Sequence, residues 1–245
     1  MEEIILYVRM FGTFSLTCGD RELICNNRAS MLWNLLAYLL CRHNETVSTE
    51  ALLPILWKQE KSDKSAGAMR TAIYRVRSML SELTEDASFQ FLISKDGGYA
   101  WNPNVKIVLD IEVFDKQTMA ITANEGHVKA GLQTLDLYLG KFLPMFSSEM
   151  WVMPIQTYYH NLYLSLLDWI MPHLEQEAHL SEGIVLCNKA LQIDPYSEKT
   201  YQHLMRFLLL SEKKQEVVQV YKQMNKQLLS SFGIEPNEES RADSL

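Results

Sequence analysis

The stretch Ser65–Leu83 limits the possible folds of this chain most strongly, because two chemically different faces separate when its residues are placed about 100° apart, as in an α-helix. One arc is apolar and contains Met69, Ala72, Ile73, Val76, Met79, Leu80 and Leu83. The opposite arc contains Arg70, Thr71, Tyr74, Arg77 and Ser78, with Arg75 at its edge. These donors suit phosphates and the edges of guanine and adenine. An ordinary amphipathic surface helix is the alternative interpretation of the same pattern.

Positive charge is concentrated around this helix. The 245-residue chain has a net charge of −7, to which residues 1–110 contribute −1 and residues 111–245 contribute −6. The segment Lys58–Leu80 contains six basic and two acidic residues, so its local charge is +4. A focused basic patch on an acidic protein indicates a specific docking surface rather than a general polyanion-binding coat.

The composition is that of a globular protein, and we expect it in the cytoplasm. Hydrophobic residues make up 47% of the chain, which is enough for one or two cores. The N-terminus lacks the basic start of a signal peptide. No apolar run approaches the roughly 20 residues that span a bilayer, so no membrane association is expected. The four cysteines, Cys18, Cys25, Cys41 and Cys187, form no CxxC pair, which favours reduced thiols.

The elements around the central helix follow the order strands, three helices, hairpin. Upstream we predict strands over Ile4–Thr17 and Glu22–Cys25, a leucine-rich helix over Arg28–Cys41, and a short helix capped by Ser48 or Thr49. Downstream, Phe89–Trp101 contains Asp96-Gly97-Gly98 between two β-prone runs, which predicts a hairpin. This order is typical of a winged helix-turn-helix, in which the third helix enters the major groove of DNA and the hairpin is the wing.

Short motifs in these elements match one family in the same order. The central helix matches at Ala66, Met69-Arg70-Thr71, Ile73, Arg75-Val76-Arg77 and Leu80; upstream matches are Val47-Ser48, Leu52 and Leu56-Trp57, and downstream ones are Gly98-Tyr99, Asp110 and Phe114. On these residues the chain resembles SARP-type bacterial regulators, whose DNA-binding domain is similar to that of OmpR.

Beyond Val108 the strand signals stop and helical periodicity continues to the end. Thr134–Pro144 resembles a segment of the bacterial transcriptional activator domain (BTAD) of the same family. An offset of 34 residues aligns Leu167, Ile170, Leu174, Gly183, Cys187 and Ala190 with Tyr201, Leu204, Leu208, Val217, Tyr221 and Met224. That period is typical of tetratricopeptide repeats. Pro172 lies inside a helical run, where we expect a kink or break.

The predicted fold class is therefore α+β with two domains. Residues 1–107 form an OmpR-like winged helix-turn-helix, and residues 108–245 form an all-α, tetratricopeptide-like BTAD. Because two repeat units cannot hold a solenoid alone, residues 111–140 are expected to stack as a further helix pair.

The sequence offers no candidate for catalysis. Its six histidines form no HExxH or other metal-ligand grouping, and no phosphate-binding glycine loop or nucleophile elbow occurs. We therefore predict no enzyme activity, metal or cofactor. The aromatic residues Tyr158, Tyr159, Tyr163 and Trp169 have two interpretations, a ligand groove or plain core, and core is the commoner.

The predicted function is sequence-specific DNA binding by a transcriptional regulator. Arg70, Thr71, Tyr74, Arg77 and Ser78 are expected to face the major groove, with at least one arginine on guanine. Arg75 is expected to contact phosphate or to extend over the core. Lys95 and Arg28 are candidates for phosphate contacts or idle surface charges. Lys58, Lys61 and Lys64 lie in a loop that is a candidate for contacts with DNA or with RNA polymerase, and the sequence does not decide between the two.

The resemblance implies an activator whose copies bind direct repeats beside a promoter, with a homodimer on DNA as one expected assembly, and which engages RNA polymerase. The alternative is a helical-repeat sensor or adaptor that binds a peptide, protein or small signal and has weak or lost DNA binding. The absence of net basic charge in residues 1–110 favours this alternative.

Overall fold

The computed structural model describes residues 4–26, 30–56, 65–86, 88–123, 127–176, 178–237 and 240. Contacts between residues divide the chain into two compact units. Unit 1 consists of Met1–Lys116 and Phe142–Tyr159, and unit 2 consists of Gln117–Lys141 and His160–Leu245. The first unit therefore includes a segment that lies far along the chain, well inside its helical half.

Unit 1 begins with a four-stranded sheet of order β3-β2-β1-β7. Its strands are β1 (Ile4–Arg9), β2 (Ser15–Cys18), β3 (Arg21–Ile24) and β7 (Val105–Leu109). β1 is antiparallel to β2 and parallel to β7, with Ile4 opposite Val105 and Val8 opposite Leu109. β7 was not predicted from the sequence, because its partner strand lies about a hundred residues earlier in the chain.

Three helices follow the strands β1 to β3, as predicted. They are α1 (Ser30–Cys41), α2 (Thr49–Leu56), which follows the short strand β4 (Val47–Ser48), and α3 (Ser65–Leu80). Of the two cap candidates for α2, Ser48 is the one whose Oγ accepts the N–H of Ala51 (3.2 Å). α1 is buried almost all round, because leucines and Trp33 cover most of its surface.

The predicted hairpin is present. β5 (Leu92–Lys95) and β6 (Gly98–Trp101) are joined at Asp96 and Gly97, whose φ angles of 47° and 78° are both positive, as a tight two-residue hairpin turn requires. The hairpin belongs to a three-stranded sheet of order β4-β6-β5. At its base, Trp101 Nε1 donates a buried hydrogen bond to the carbonyl of Leu39 in α1 (2.9 Å).

The Asp110 and Phe114 motif closes unit 1 at the start of α4 (Asp110–Ala123). The Asp110 carboxylate accepts the N–H groups of Met10 (2.9 Å) and Phe11 (3.0 Å), just beyond the end of β1. Phe114 is fully buried, and its ring meets the Phe11 ring edge to face at 5.4 Å. The motif therefore connects the first and last strands of the sheet to the helix that follows.

The segment Phe142–Tyr159 also packs within unit 1. Leu143 donates its N–H to the carbonyl of Met10 (2.8 Å). Trp151 Nε1 donates to Oδ1 of Asn34, a buried polar residue of α1 (3.1 Å). The Nδ2 atom of Asn34 in turn lies 3.5 Å from the carbonyl oxygen of Ile55 in α2. This segment thus completes the core around α1 and α2.

Unit 2 is built from helices. In chain order they are the end of α4, α5 (Val128–Leu135), the later part of α6 (Val152–Gln176), α7 (Leu180–Ile193), α8 (Glu198–Leu210) and α9 (Lys214–Phe232). Of the twelve residues aligned by the 34-residue offset, all but Tyr221 are buried. Within the described ranges, no helix combines the length and apolar character needed to cross a membrane.

Small residues set the helix spacing in unit 2. A Cβ added at Gly183 would lie 2.4 Å from the Phe207 ring, so α7 and α8 approach closely at this point. Gly131 of α5 is similarly close to Ile170 of α6 (2.9 Å). Of the kink or break expected at Pro172, the break does not occur, since α6 continues to Gln176. Pro172 itself is exposed, while Met171 and Leu174 beside it are buried and hold the helix in place.

Candidate nucleic-acid interface

The central helix α3 is divided into the two predicted faces. Its apolar arc is buried: Met69, Ala72, Ile73, Val76 and Leu80 are each at most 4% exposed. Its polar arc is exposed at Arg70, Thr71, Tyr74, Arg75 and Ser78. The buried arc fixes the helix in unit 1, and the polar arc is left available for a partner.

Arg70, Tyr74 and Ser78 form a line along the exposed face, because they are spaced by four residues. Tyr74 lies in the middle of this line and is 72% exposed. Neither Arg70 nor Arg75 pairs with a carboxylate in the part of the chain that the structure describes. The Thr71 hydroxyl donates to the carbonyl of Gly67 one turn earlier (3.1 Å). We call Arg70, Thr71, Tyr74 and Ser78 the α3 face.

Arg77 occupies a different environment from the α3 face. It is half-buried, its Nε donates to the carbonyl of Leu92 (2.8 Å), and its Nη2 donates to Oγ of Ser94 (3.0 Å). Both acceptors lie on β5 of the wing. The structure therefore joins Arg77 to the hairpin, whereas the sequence grouped it with the residues of the exposed arc.

The wing is also tied to the elements that precede α3. The Thr49 hydroxyl donates to the carbonyl of Gly97 at the tip of the hairpin (3.1 Å). A Cβ on Gly98 would lie 2.3 Å from the carbonyl oxygen of Val47, so β4 and β6 can pair here only because residue 98 has no side chain. The resemblance to the family's Gly-Tyr motif therefore has a steric basis.

Lysines border an open cleft beside the wing. The cleft has a volume of about 630 Å³, and its lining includes Lys95 of β5 and Lys106 of β7, both of which are exposed. Lys95 was a predicted phosphate contact. Lys106 was not predicted, because its position beside the wing depends on the pairing of β7 with β1.

Four other predicted cations, Arg28, Lys58, Lys61 and Lys64, lie outside the described residues.

Of the four aromatic residues with two interpretations, two are core and two are not, since Trp169 is half-buried and Tyr158 is exposed. Tyr159 and Tyr163 are buried, and burial raises the pKa of each phenol above its usual range. Tyr158 is 44% exposed and donates to Asp115. In the described part of the chain, no group of three or more His, Cys, Asp and Glu side chains could hold a metal ion.

Unit 1 has the architecture of a winged helix-turn-helix protein, because α3 follows two helices, exposes a line of Arg and Tyr, and is followed by a hairpin with a glycine turn. In this chain the winged helix is joined to a tetratricopeptide-like helical unit. A family model described as "Bacterial transcriptional activator domain" matches residues 109–243. The chain belongs to the SARP-type family of bacterial transcriptional regulators, which carries this domain.

Two curated relatives support the family. The transcriptional regulatory protein MoaR1 of Mycobacterium tuberculosis is 23% identical over 221 residues, which is 85% of this chain and 68% of MoaR1. The regulatory protein AfsR of Streptomyces coelicolor is 24% identical over 209 residues, which is 82% of this chain but 20% of AfsR.

One solved structure is similar over the whole chain. It is Mycobacterium tuberculosis EmbR in complex with a low-affinity phosphopeptide, with a TM-score of 0.71 and 17% identity. The match covers 100% of this chain and 64% of the EmbR chain, so this chain spans less than two thirds of its length. At this level of identity the likeness shows a shared fold, with a winged helix followed by a helical domain.

Proposed function

We propose that this protein binds double-stranded DNA in a sequence-specific manner and regulates transcription from the bound site. The observation that carries the proposal is the α3 face: an exposed line of arginine, tyrosine and serine on a helix whose other side is buried. A helix of this width fits the major groove, where arginine and hydroxyl side chains reach base edges. The lysine-bordered wing lies on the same unit and fits the sugar-phosphate backbone.

The residues have distinct proposed roles. Arg70 is the proposed guanine reader, because it is exposed and has no carboxylate partner among the described residues. Tyr74, Thr71 and Ser78 lie beside it and contact bases or phosphates. Arg75, at the far edge of the helix, and Lys95, on the wing, neutralise phosphates. We retain Arg28, Lys58, Lys61 and Lys64 as further candidates for contacts with DNA or, for the three lysines, with polymerase.

We further propose that the protein is an activator. The supporting observation is the match of residues 109–243 to an activator domain. In this proposal, residues 1–107 bind DNA, residues 108–245 help to engage RNA polymerase, and two copies occupy adjacent direct repeats. A template that carries two sites should therefore give more transcript in a purified transcription assay than the same template with one site removed.

A binding experiment at several salt concentrations tests the central proposal. Genomic fragments retained by the full chain would be sequenced, and the enriched sequence would be titrated at 50 to 200 mM salt against a scrambled duplex. We expect tighter binding to the enriched sequence and a steep loss of affinity with salt. Equal, weak binding to both duplexes would reject the proposal and favour the sensor or adaptor instead.

A further inference from the structure

We propose that Arg77 is a positioning residue that sets the angle of the wing relative to α3, and that it does not read a base. This inference rests on the proposed DNA-binding function and concerns how the same interface is assembled. The wing and α3 contact DNA at different places in a winged helix, so their relative angle decides whether both can contact one duplex. A residue that connects them therefore affects binding without a contact to DNA of its own.

The first support is the position of Arg77 on the helix. At about 100° per residue, Tyr74 lies near the centre of the exposed arc, and Arg77 and Arg75 lie near its two opposite edges. Arg77 is adjacent to the buried Ile73, and it is half-buried, whereas Arg75 is exposed. The edge that Arg77 occupies is the one that meets the wing.

The second support is the set of acceptors that Arg77 contacts. β5 is the outer strand of its sheet, and among the described strands it pairs with β6 alone. Phe91 accepts the N–H of Asn102 across the hairpin, so by alternation the next carbonyl, that of Leu92, points towards the open edge. Arg77 Nε donates to this carbonyl. The guanidinium group thus pairs with one outward-facing carbonyl on the open edge of the sheet.

The third support is that two donors of one planar group are used. Nε is bound to Leu92 and Nη2 to Ser94, two residues along the same strand, at 2.8 Å and 3.0 Å. A guanidinium with two fixed hydrogen bonds is held in position and orientation, as a single ammonium would not be. To reach a base edge with these donors, Arg77 would have to release both bonds to the wing.

The remaining ties of the wing explain why Arg77 has a separate effect. Thr49 contacts the hairpin tip at Gly97, and β4 pairs with β6 at Gly98. These contacts attach the wing to α2 and β4, and the buried hydrogen bond of Trp101 attaches it to α1. Arg77 attaches it to α3. Loss of Arg77 should therefore leave a folded hairpin whose angle to α3 is less well fixed.

The test compares Arg77→Ala with Arg75→Ala in the full chain. For each variant we would measure the affinity for the enriched duplex and for duplexes in which one base pair at a time is substituted. Hydroxyl-radical footprints of the bound enriched duplex would be recorded as well. We expect Arg77→Ala to weaken binding about 3- to 10-fold and to reduce protection under the wing, with the ranking of base pairs unchanged. Arg75→Ala removes an equal charge but no wing contact, so we expect uniform weakening with the wing footprint intact.

Two further variants give independent readouts. Ser94→Ala should weaken binding less than Arg77→Ala, and the double variant should be no weaker than Arg77→Ala, because both changes remove the same contact. Arg77→Lys keeps the charge but not the two-donor geometry, so it should also lose wing protection. Amide hydrogen exchange in β5 of the free protein should be faster in Arg77→Ala, which can be measured without DNA.

The outcomes separate the two proposals. If the wild-type protein showed no sequence preference, the proposed function would be contradicted. Amide hydrogen exchange in β5 would still test the role of Arg77 in that case. Wild-type binding combined with relaxed preference at one base pair in Arg77→Ala would make Arg77 a base reader and overturn the inference. Full rescue by Arg77→Lys, or unchanged β5 exchange, would overturn it as well.

Discussion

The contacts within unit 1 differ in kind from the contacts within unit 2. In unit 1, single polar groups connect elements that are far apart in sequence: Asp110 accepts the N–H groups of Met10 and Phe11, and Trp151 donates to the buried Asn34. Each of these contacts has a required direction as well as a distance. They fix the orientation of the elements, not only their proximity.

In unit 2, helices are spaced by the fit of small against large side chains. Gly183 lies directly against the Phe207 ring, and Gly131 lies against Ile170. Buried polar atoms are paired less directly here, since the ring nitrogens of His203 lie 3.7 Å from Asp168 and 3.6 Å from Glu175, beyond ordinary hydrogen-bond distance. The unit 1 contacts thus fix the direction of the elements that they join, whereas the two glycine contacts of unit 2 fix the spacing of its helices.

The largest expected effect tests the packing of unit 2. Gly183→Ala should lower the free energy of unfolding by about 2 to 3 kcal/mol, because its Cβ would lie 2.4 Å from a fully buried ring. Gly67→Ala is the matched control: it is also a helical glycine, but no atom lies within 4 Å of the added Cβ. We expect it to raise stability by about 0.5 to 1 kcal/mol.

Chemical denaturation of the two variants measures both effects. If Gly183→Ala were as stabilising as Gly67→Ala, the helices of unit 2 would not be spaced by this contact, and the comparison between the units would fail.

The next effect concerns Asp110 and is pH-dependent. Burial raises the pKa of its carboxyl from the ordinary 3.8 to about 6, although backbone N–H donors oppose the shift. The folded chain therefore binds this proton more tightly than the unfolded chain does. The proton's contribution to the free energy of unfolding is greatest below pH 3.8 and is lost as the pH rises through 6. Relative to Asp110→Asn, the wild type should lose about 2 kcal/mol between pH 4 and pH 7.

Denaturant titrations of the wild type and Asp110→Asn across this pH range show whether the wild type loses or gains stability relative to the variant as the pH rises. A wild type that instead gains stability over the variant as the pH rises would show that the N–H donors outweigh burial at this site.

The smallest expected effect tests a single directional bond. Trp151→Phe keeps an aromatic ring but removes the donor to Asn34, so it should lower the free energy of unfolding by about 1 kcal/mol. Tyr38→Phe is the control, because it keeps the ring that faces Trp151 and removes only an exposed contact to Arg42. We expect a change below about 0.5 kcal/mol for the control. If Trp151→Phe and Tyr38→Phe changed thermal unfolding equally, the buried hydrogen bond would contribute no more to stability than the exposed one.

The sequence predicted local features well. The two faces of α3, the Asp96-Gly97 turn and the 34-residue repeat depend on residues close in sequence or on a regular period, and the structure contains all three. The fold class is confirmed by the likeness to a winged helix joined to a helical domain. The functional division at 107/108 stays a prediction.

Non-local features could not be predicted from these patterns. The pairing of β7 with β1, the packing of Phe142–Tyr159 within unit 1 and the bonds of Arg77 to the wing all join residues whose meeting depends on the finished fold. The helical wheel did hold one usable signal. Arg77 lies about 40° from the buried Ile73, closer to the apolar arc than any other member of the exposed arc.

A comparison of Arg70→Ala with Lys222→Ala on the enriched duplex tests whether the α3 face reads DNA. Both residues are exposed cations, but Lys222 lies on α9 of unit 2. We expect Arg70→Ala to reduce the free energy of binding by about 1 to 3 kcal/mol and to relax the preference at one base pair, while Lys222→Ala changes affinity less than about twofold. Equal effects of the two changes, or unchanged binding by Arg70→Ala, would contradict this expectation.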